Sequence, residues 1–143
     1  MILVDTSVWV DHLRSSDEEL GDALLAGEVL VHPWILGELA LGGMPADGPV
    51  AEALADLPEA PVASTAEVLG LIARRGLTGR GIGYVDAHLI ASVLLQPGTR
   101  LLTRDRRLRE VAAEFAIAAL GVAGAANRPQ AKRKHLFLSV QDW

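Results

Sequence analysis

Two acidic residues follow directly on apolar segments of the sequence. Asp5 ends an apolar run at residues 2–4, and Asp105 lies two residues beyond a second run at residues 100–103. Short runs of this kind are typical of strands in a parallel sheet that is covered on both faces. Ligands of such sheets bind beyond the carboxyl ends of the strands, so both acids would face one crevice if the two strands are neighbours.

Two further acids lie in predicted helices and can reach the same crevice. Asp86 lies near the start of a helical pattern at residues 84–96, and Glu38 lies in an apolar helical segment that begins at Pro33. Two like charges about 4 Å apart repel by roughly 4 kcal/mol at an effective dielectric constant near 20. Four gathered carboxylates therefore need a neutralising cation.

The ligand chemistry favours Mg²⁺ or Mn²⁺ as that cation. The sequence has no cysteine, and its four histidines show no paired ligand spacing, so the available donors are carboxylate oxygens. We expect His88 to be a surface side chain rather than a ligand. A bound Mg²⁺ polarises a phosphate and lowers the pKa of an attacking water, so the implied reaction is phosphodiester hydrolysis.

Several of these residues also have an ordinary structural interpretation. Asp5 could form a turn, Asp86 could favour a helix N-terminus, and Asp105 could cap the helix that follows it. The hydroxyl residues Thr6, Ser7 and Thr103 could orient carboxylates or waters. They are equally common as turn and cap residues, and the sequence leaves both interpretations open.

Basic residues are concentrated in the C-terminal third. Residues 1–99 contain 14 acids and four arginines, whereas residues 100–143 contain four acids and nine lysines and arginines. Arg104, Arg106 and Arg107 flank Asp105 and are candidates for contacts with an RNA backbone, or they form a solvated helix face. The segment GRGIG at residues 79–83 fits no phosphate-loop pattern, so we expect a flexible loop there.

Strand and helix patterns alternate along the chain and predict an α/β fold with a mostly parallel sheet. Strands are expected at residues 2–5, 29–31 and 100–103, with a brief one at 60–63. The last long helix is expected at residues 105–120. We assign residues 1–120 to one domain and residues 121–143 to a C-terminal extension of unknown role.

Composition limits the compartment. Half of the 143 residues are apolar, and the longest apolar run, at residues 115–126, is too short to span a bilayer. The start of the sequence has no basic segment or cleavage site of a signal peptide. Together with the absence of cysteine, these features predict a cytoplasmic protein that is not bound to a membrane.

The segments LVDTSVWVDHL, YVDAHLIASVLL and LLTRDRRL, together with Glu38, resemble those of PIN-domain ribonucleases, in particular VapC toxins of bacterial toxin–antitoxin pairs. The resemblance covers about residues 1–120. It implies a Rossmann-like three-layer α/β/α sandwich, RNA cleavage with Mg²⁺ or Mn²⁺, a homodimer, and inhibition by a VapB-like antitoxin. By motif match, the acidic quartet of the family corresponds to Asp5, Glu38, Asp86 and Asp105.

Two other functions remain open from the sequence. A non-catalytic PIN-like regulator could use the acidic groove to bind a basic peptide. An aspartyl-phosphate phosphotransferase also places an aspartate after strand one, but that chemistry generally needs a second acid two residues later, where this chain has Ser7.

Overall fold

The computed structural model describes residues 1–119 and 121. The predicted C-terminal extension, apart from residue 121, lies outside the described residues. Three strands and seven helices are described, in the order β1 (Ile2–Val4), α1 (Thr6–Ser15), α2 (Glu18–Leu25), β2 (Val29–Leu30), α3 (Pro33–Leu41), α4 (Pro49–Ala55), α5 (Thr65–Arg75), α6 (Tyr84–Leu95), β3 (Arg100–Leu102) and α7 (Arg106–Glu114).

The strands form a parallel sheet in the order β2-β1-β3. Leu3 pairs with Leu30 on one side and Leu101 on the other, so β1 is central. Leu3 and Val4 are both fully buried. Successive strand residues point to opposite faces, so helices must cover both faces of the sheet. This confirms the predicted α/β sandwich.

The strand order determines where a ligand crevice opens. The chain leaves β1 toward β2 and later crosses to β3 on the other side of β1, so the connections after β1 and β3 diverge. This reversal of direction is the switch point at which open α/β sheets bind ligands. Asp5 follows β1 at this point, and Thr103 follows β3.

The helices begin where their sequence signals predict. Ser64 and Glu67 form the predicted capping box of α5, in which each side chain accepts a hydrogen bond from the other residue's backbone N–H. Pro33 occupies the first turn of α3. Helix α5 packs against α6, and α6 packs against β3. The acid at the start of α6 is therefore held beside the sheet.

The structure corrects several predicted elements. The three predicted strands each end one residue earlier than expected, at Val4, Leu30 and Leu102. No strand forms at residues 60–63, where the nearest pairing is an isolated parallel bridge between Val31 and Glu59. The last helix ends at Glu114 rather than near residue 120, because the backbone turns at Ala116, where φ is +58°. The chain then returns to the sheet, and Ala118 forms a parallel bridge with Leu101.

The apolar helices of the described part of the chain are too short to cross a bilayer.

Candidate active site

Asp5 is a buried carboxylate held at the switch point of the sheet. It is 6% exposed and caps helix α1, because its Oδ1 accepts a hydrogen bond of 2.8 Å from the Thr6 backbone N–H. Its Oδ2 accepts hydrogen bonds from the hydroxyl groups of Ser7, at 2.9 Å, and Thr103, at 2.7 Å. Three donors therefore fix the position of this carboxylate.

Thr103 links the two predicted acids that follow strands. Its buried hydroxyl donates to Asp5 and accepts a hydrogen bond of 3.1 Å from the backbone N–H of Asp105. Asp105 in turn caps helix α7, with its Oδ1 accepting from the Leu108 N–H at 3.0 Å. The predicted capping role of Asp105 is thus present, and the same residue is connected to Asp5 through one side chain.

Glu38 joins the network from the opposite side of Asp5. Its Oε1 accepts a hydrogen bond of 2.8 Å from the hydroxyl of Thr6, although the two residues are 32 positions apart in the chain. Helix α1 packs against α3, which brings these two residues together. The predicted hydroxyl residues therefore touch the acids: Thr6 donates to Glu38, while Ser7 and Thr103 donate to Asp5.

Asp86 completes the acidic group and carries its clearest electrostatic signal. Partial burial raises the pKa of Asp86, the hydrogen bond from the Gly83 N–H lowers it, and the charges of Asp5, Asp105 and Glu38 raise it further. Asp86 thus lies within electrostatic reach of each of the other three acids. Hydrogen bonds through Thr6 and Thr103 connect Asp5 with Glu38 and Asp105.

The donor set fits a hard divalent cation. The four side chains offer carboxylate oxygens. The pKa of Asp86 is raised mainly by burial and further by the charges of the other three acids, a repulsion that a cation would relieve. In the described part of the chain, no three Asp, Glu, His or Cys side chains form a ready-made ligand group. Hydroxyl and backbone donors, rather than one another, are the hydrogen-bonding partners of these carboxylates.

The predicted RNA-contacting arginines have different surroundings. Arg104 forms ion pairs with Asp11, at 2.7 Å, and Asp17, at 3.0 Å, and its backbone N–H donates to Ser7 Oγ. Its guanidinium group therefore braces α1 and the start of α2 against the loop after β3. Arg106 is paired with Glu110 on the exposed surface of α7.

Arg107 lies against the glycine-rich loop that precedes α6. A Cβ atom added to Gly81 would lie 2.5 Å from Cδ of Arg107, and Gly81 has a φ of +77° that favours glycine. Arg80 of the same loop pairs with Glu114 of α7. These contacts of Arg107 and Arg80 hold the loop at residues 79–83 against α7.

An aromatic group beside the acids was missed from the sequence. The rings of Trp34 and His88 are stacked, with centroids 4.3 Å apart and an interplanar angle of 28°, and Tyr84 contacts both rings edge-on. His88, expected at the surface, is 2% exposed. The sequence signal that could have indicated this group is the spacing of aromatic residues from the predicted acids. Trp34 lies four residues before Glu38 on α3, and Tyr84 lies two residues before Asp86 on α6.

Comparisons with known proteins identify the family of the chain. The family model described as "PIN domain" matches residues 2–114, which include all four acids. Two proteins named Ribonuclease VapC32, from the Mycobacterium tuberculosis strains CDC 1551 / Oshkosh and ATCC 25618 / H37Rv, are each 49% identical to the chain over 118 residues. Each alignment covers 82% of this chain and 95% of the relative.

Proposed function

The chain belongs to the PIN-domain family and is similar to VapC ribonucleases over most of its length, and from this premise we propose that it is a metal-dependent endoribonuclease, the toxin of a VapBC-type pair. The single observation that carries the proposal is the network in which Thr103 joins Asp5 to Asp105 while Thr6 joins Asp5 to Glu38. Residues from three separate segments meet there.

The proposed roles follow from the surroundings of each acid. Asp5, Asp86 and Asp105 would hold Mg²⁺ or Mn²⁺, and Glu38 would act as a further ligand or position the attacking water. The ion would supply charge neutralisation at the phosphate and a more acidic water. The chain's own hydroxyl groups keep Asp5 and Glu38 oriented, because Thr6 and Ser7 lie at the rigid start of α1 and donate to them.

The RNA backbone would contact Arg107 first among the predicted arginines. Arg104 and Arg106 already pair with acids, whereas Arg107 lies at the junction of α7 and the loop before Asp86. The positive charge of Arg107 would offset the negative charge of the acids for an incoming phosphate.

The proposed partners of the chain are an RNA substrate, a VapB-like antitoxin and a second copy of the chain in a homodimer. We propose that it acts in the cytoplasm.

Cleavage of total RNA by the purified protein tests the enzymatic proposal. We expect products with Mg²⁺ or Mn²⁺, none with EDTA, and none from Asp86→Asn with either metal. Glu52→Gln is the matched control, because Glu52 is an exposed acid on α4. Cleavage that survives EDTA, or that Asp86→Asn retains, would refute it.

The toxin proposal needs a separate test in cells. Expression of the chain alone should arrest growth, and co-expression of the small open reading frame next to its gene should restore it. Equal growth in both cases would leave a nuclease without toxin function. The phosphotransferase alternative is weaker, since that chemistry generally needs a second acid two residues after Asp5, where this chain has Ser7, whose hydroxyl donates to Asp5.

A further inference from the structure

Three rings form an aromatic cluster, defined here as Trp34, Tyr84 and His88. Buried His88 stacks on the Trp34 indole, so one indole face is covered. Tyr84 meets Trp34 edge-on with ring centroids 5.5 Å apart. Trp34 is nevertheless 38% exposed and Tyr84 41% exposed. The cluster therefore exposes parts of two aromatic side chains to solvent, while its third ring, that of His88, is buried.

The cluster adjoins the acidic site through two helices. Trp34 and Glu38 are four residues apart on α3, which places them about 6 Å apart along the helix axis. Tyr84 and Asp86 share the first turn of α6. Trp34 of α3 is in ring contact with Tyr84 and His88 of α6, so the two helices meet at the rings. The rings and two of the acids therefore belong to the same two helix segments.

We infer that the aromatic cluster is a stacking platform for an unpaired RNA base next to the phosphodiester that is cleaved. This inference rests on the proposed function and adds to it a position that binds one RNA base by stacking and hence tolerates different bases. Proteins bind unpaired bases on exposed aromatic rings of this kind. The uncovered face of Trp34 is the stacking surface, and His88 and Tyr84 fix its orientation.

A neighbouring surface provides the control for a different occupant. Trp34 also lines a shallow apolar groove with Leu41 and Val85, and Leu41 is 93% exposed. A second copy of the chain seated in this groove would need both Trp34 and Leu41. A stacked base needs only the flat ring. Leu41→Ser and Trp34→Ala therefore separate the two cases.

The test measures RNA affinity with an inactive protein. The cleavage position in a single-stranded oligonucleotide is first mapped with the wild-type chain, and oligonucleotides are then made with one abasic nucleotide at each position around it. Affinity is measured in the Asp86→Asn background. We expect Trp34→Ala to weaken binding of the intact RNA by roughly five- to 150-fold, the range for one stacked base. Trp34→Phe should retain most of the affinity.

The abasic series supplies the specific readout. At one position, removal of the base should weaken binding by the Asp86→Asn protein and have no further effect when Trp34→Ala is added. Leu41→Ser should bind both RNAs as its parent does. The inference would be overturned if Trp34→Ala weakened binding of all oligonucleotides equally, or of none. It would also be overturned if Leu41→Ser lost as much RNA affinity as Trp34→Ala and changed the oligomeric state.

Failure of this inference is distinguishable from failure of the proposed function. If the wild-type chain cleaves RNA and Trp34→Ala matches it on every substrate, the stacking platform is wrong and the nuclease assignment stands. If the wild-type chain neither cleaves RNA with Mg²⁺ or Mn²⁺ nor binds it, both are overturned.

Discussion

Replacing Thr103 with valine should reveal how strongly the acidic site depends on one hydroxyl group. Thr103 is 4% exposed and makes two hydrogen bonds, one to the Asp5 carboxylate and one from the Asp105 N–H. A hydrogen bond to a charged group contributes about 1.5–3 kcal/mol, and valine has nearly the same shape as threonine. We therefore expect Thr103→Val to lower the free energy of unfolding by about 2–4 kcal/mol, because the Asp105 N–H also loses its acceptor.

Activity should fall in the same variant, since side chains that orient metal ligands typically contribute 10- to 100-fold in affinity or rate. Urea denaturation and RNA cleavage rates measure the two effects. Thr103→Ser, which keeps the hydroxyl, should retain most of both. Thr99→Val is the matched control: Thr99 is equally buried at the other end of β3, and its hydroxyl has no hydrogen-bond partner within the described residues. Similar losses in Thr99→Val and Thr103→Val would refute the reasoning.

Three further predictions follow from individual side chains. Asp86→Asn should abolish cleavage yet raise the free energy of unfolding in EDTA by roughly 0.5–2 kcal/mol, because it removes a charge that burial and three neighbouring acids disfavour. Calorimetry with and without Mn²⁺ measures this effect. Only the wild type should gain stability from the metal. Burial, with a smaller effect of His88, lowers the pKa of His32 from 6.5 to about 4. Between these pH values the unfolded chain binds more protons than the folded one, so the free energy of unfolding should fall by up to about 3 kcal/mol as the pH drops from 6.5 to 4. Urea titrations at several pH values measure this dependence, and His32→Gln should flatten it. Arg107→Ala should weaken RNA binding and reduce the slope of log affinity against log salt concentration by about one. Arg106→Ala should leave that slope unchanged, because Arg106 pairs with Glu110. Fluorescence anisotropy across a salt series measures both slopes.

The four acids could be predicted from the sequence because each has a local signature. Asp5 follows an apolar strand, Asp105 precedes an amphipathic helix, and Asp86 lies in the first turn of another helix. Glu38 lies in a helix whose other residues are mostly apolar. Topology then determines that these signatures meet: the parallel sheet places β1 beside β3, and the ends of parallel strands lie at one edge. For the hydroxyl groups of Thr6, Ser7 and Thr103, the sequence left two roles open: capping a helix or turn, or orienting the carboxylates.

The features that were missed depend on contacts between distant segments. His88 lies on α6, a helix that is apolar on nearly every side, and its stacking on Trp34 requires knowledge of how α3 and α6 meet. The end of α7 was overextended for a related reason. Residues 115–120 are apolar and compatible with a helix. In the structure the chain instead turns at Ala116 and pairs with the edge of β3, where the Leu101 N–H donates to the Ile117 carbonyl and the Leu101 carbonyl accepts from the Ala119 N–H. Tertiary pairing outweighed local propensity.

The acids differ in what their presence implies. Asp5 has a structural reason to exist, because it caps α1 and accepts three hydrogen bonds, and Asp105 likewise caps α7. Asp86 accepts one backbone hydrogen bond, yet its surroundings raise its pKa and so disfavour its charged form. A group whose charge costs stability at the position where three other acids converge is typical of a functional site. Of the four, Asp86 therefore gives the strongest physical argument that this crevice binds a cation.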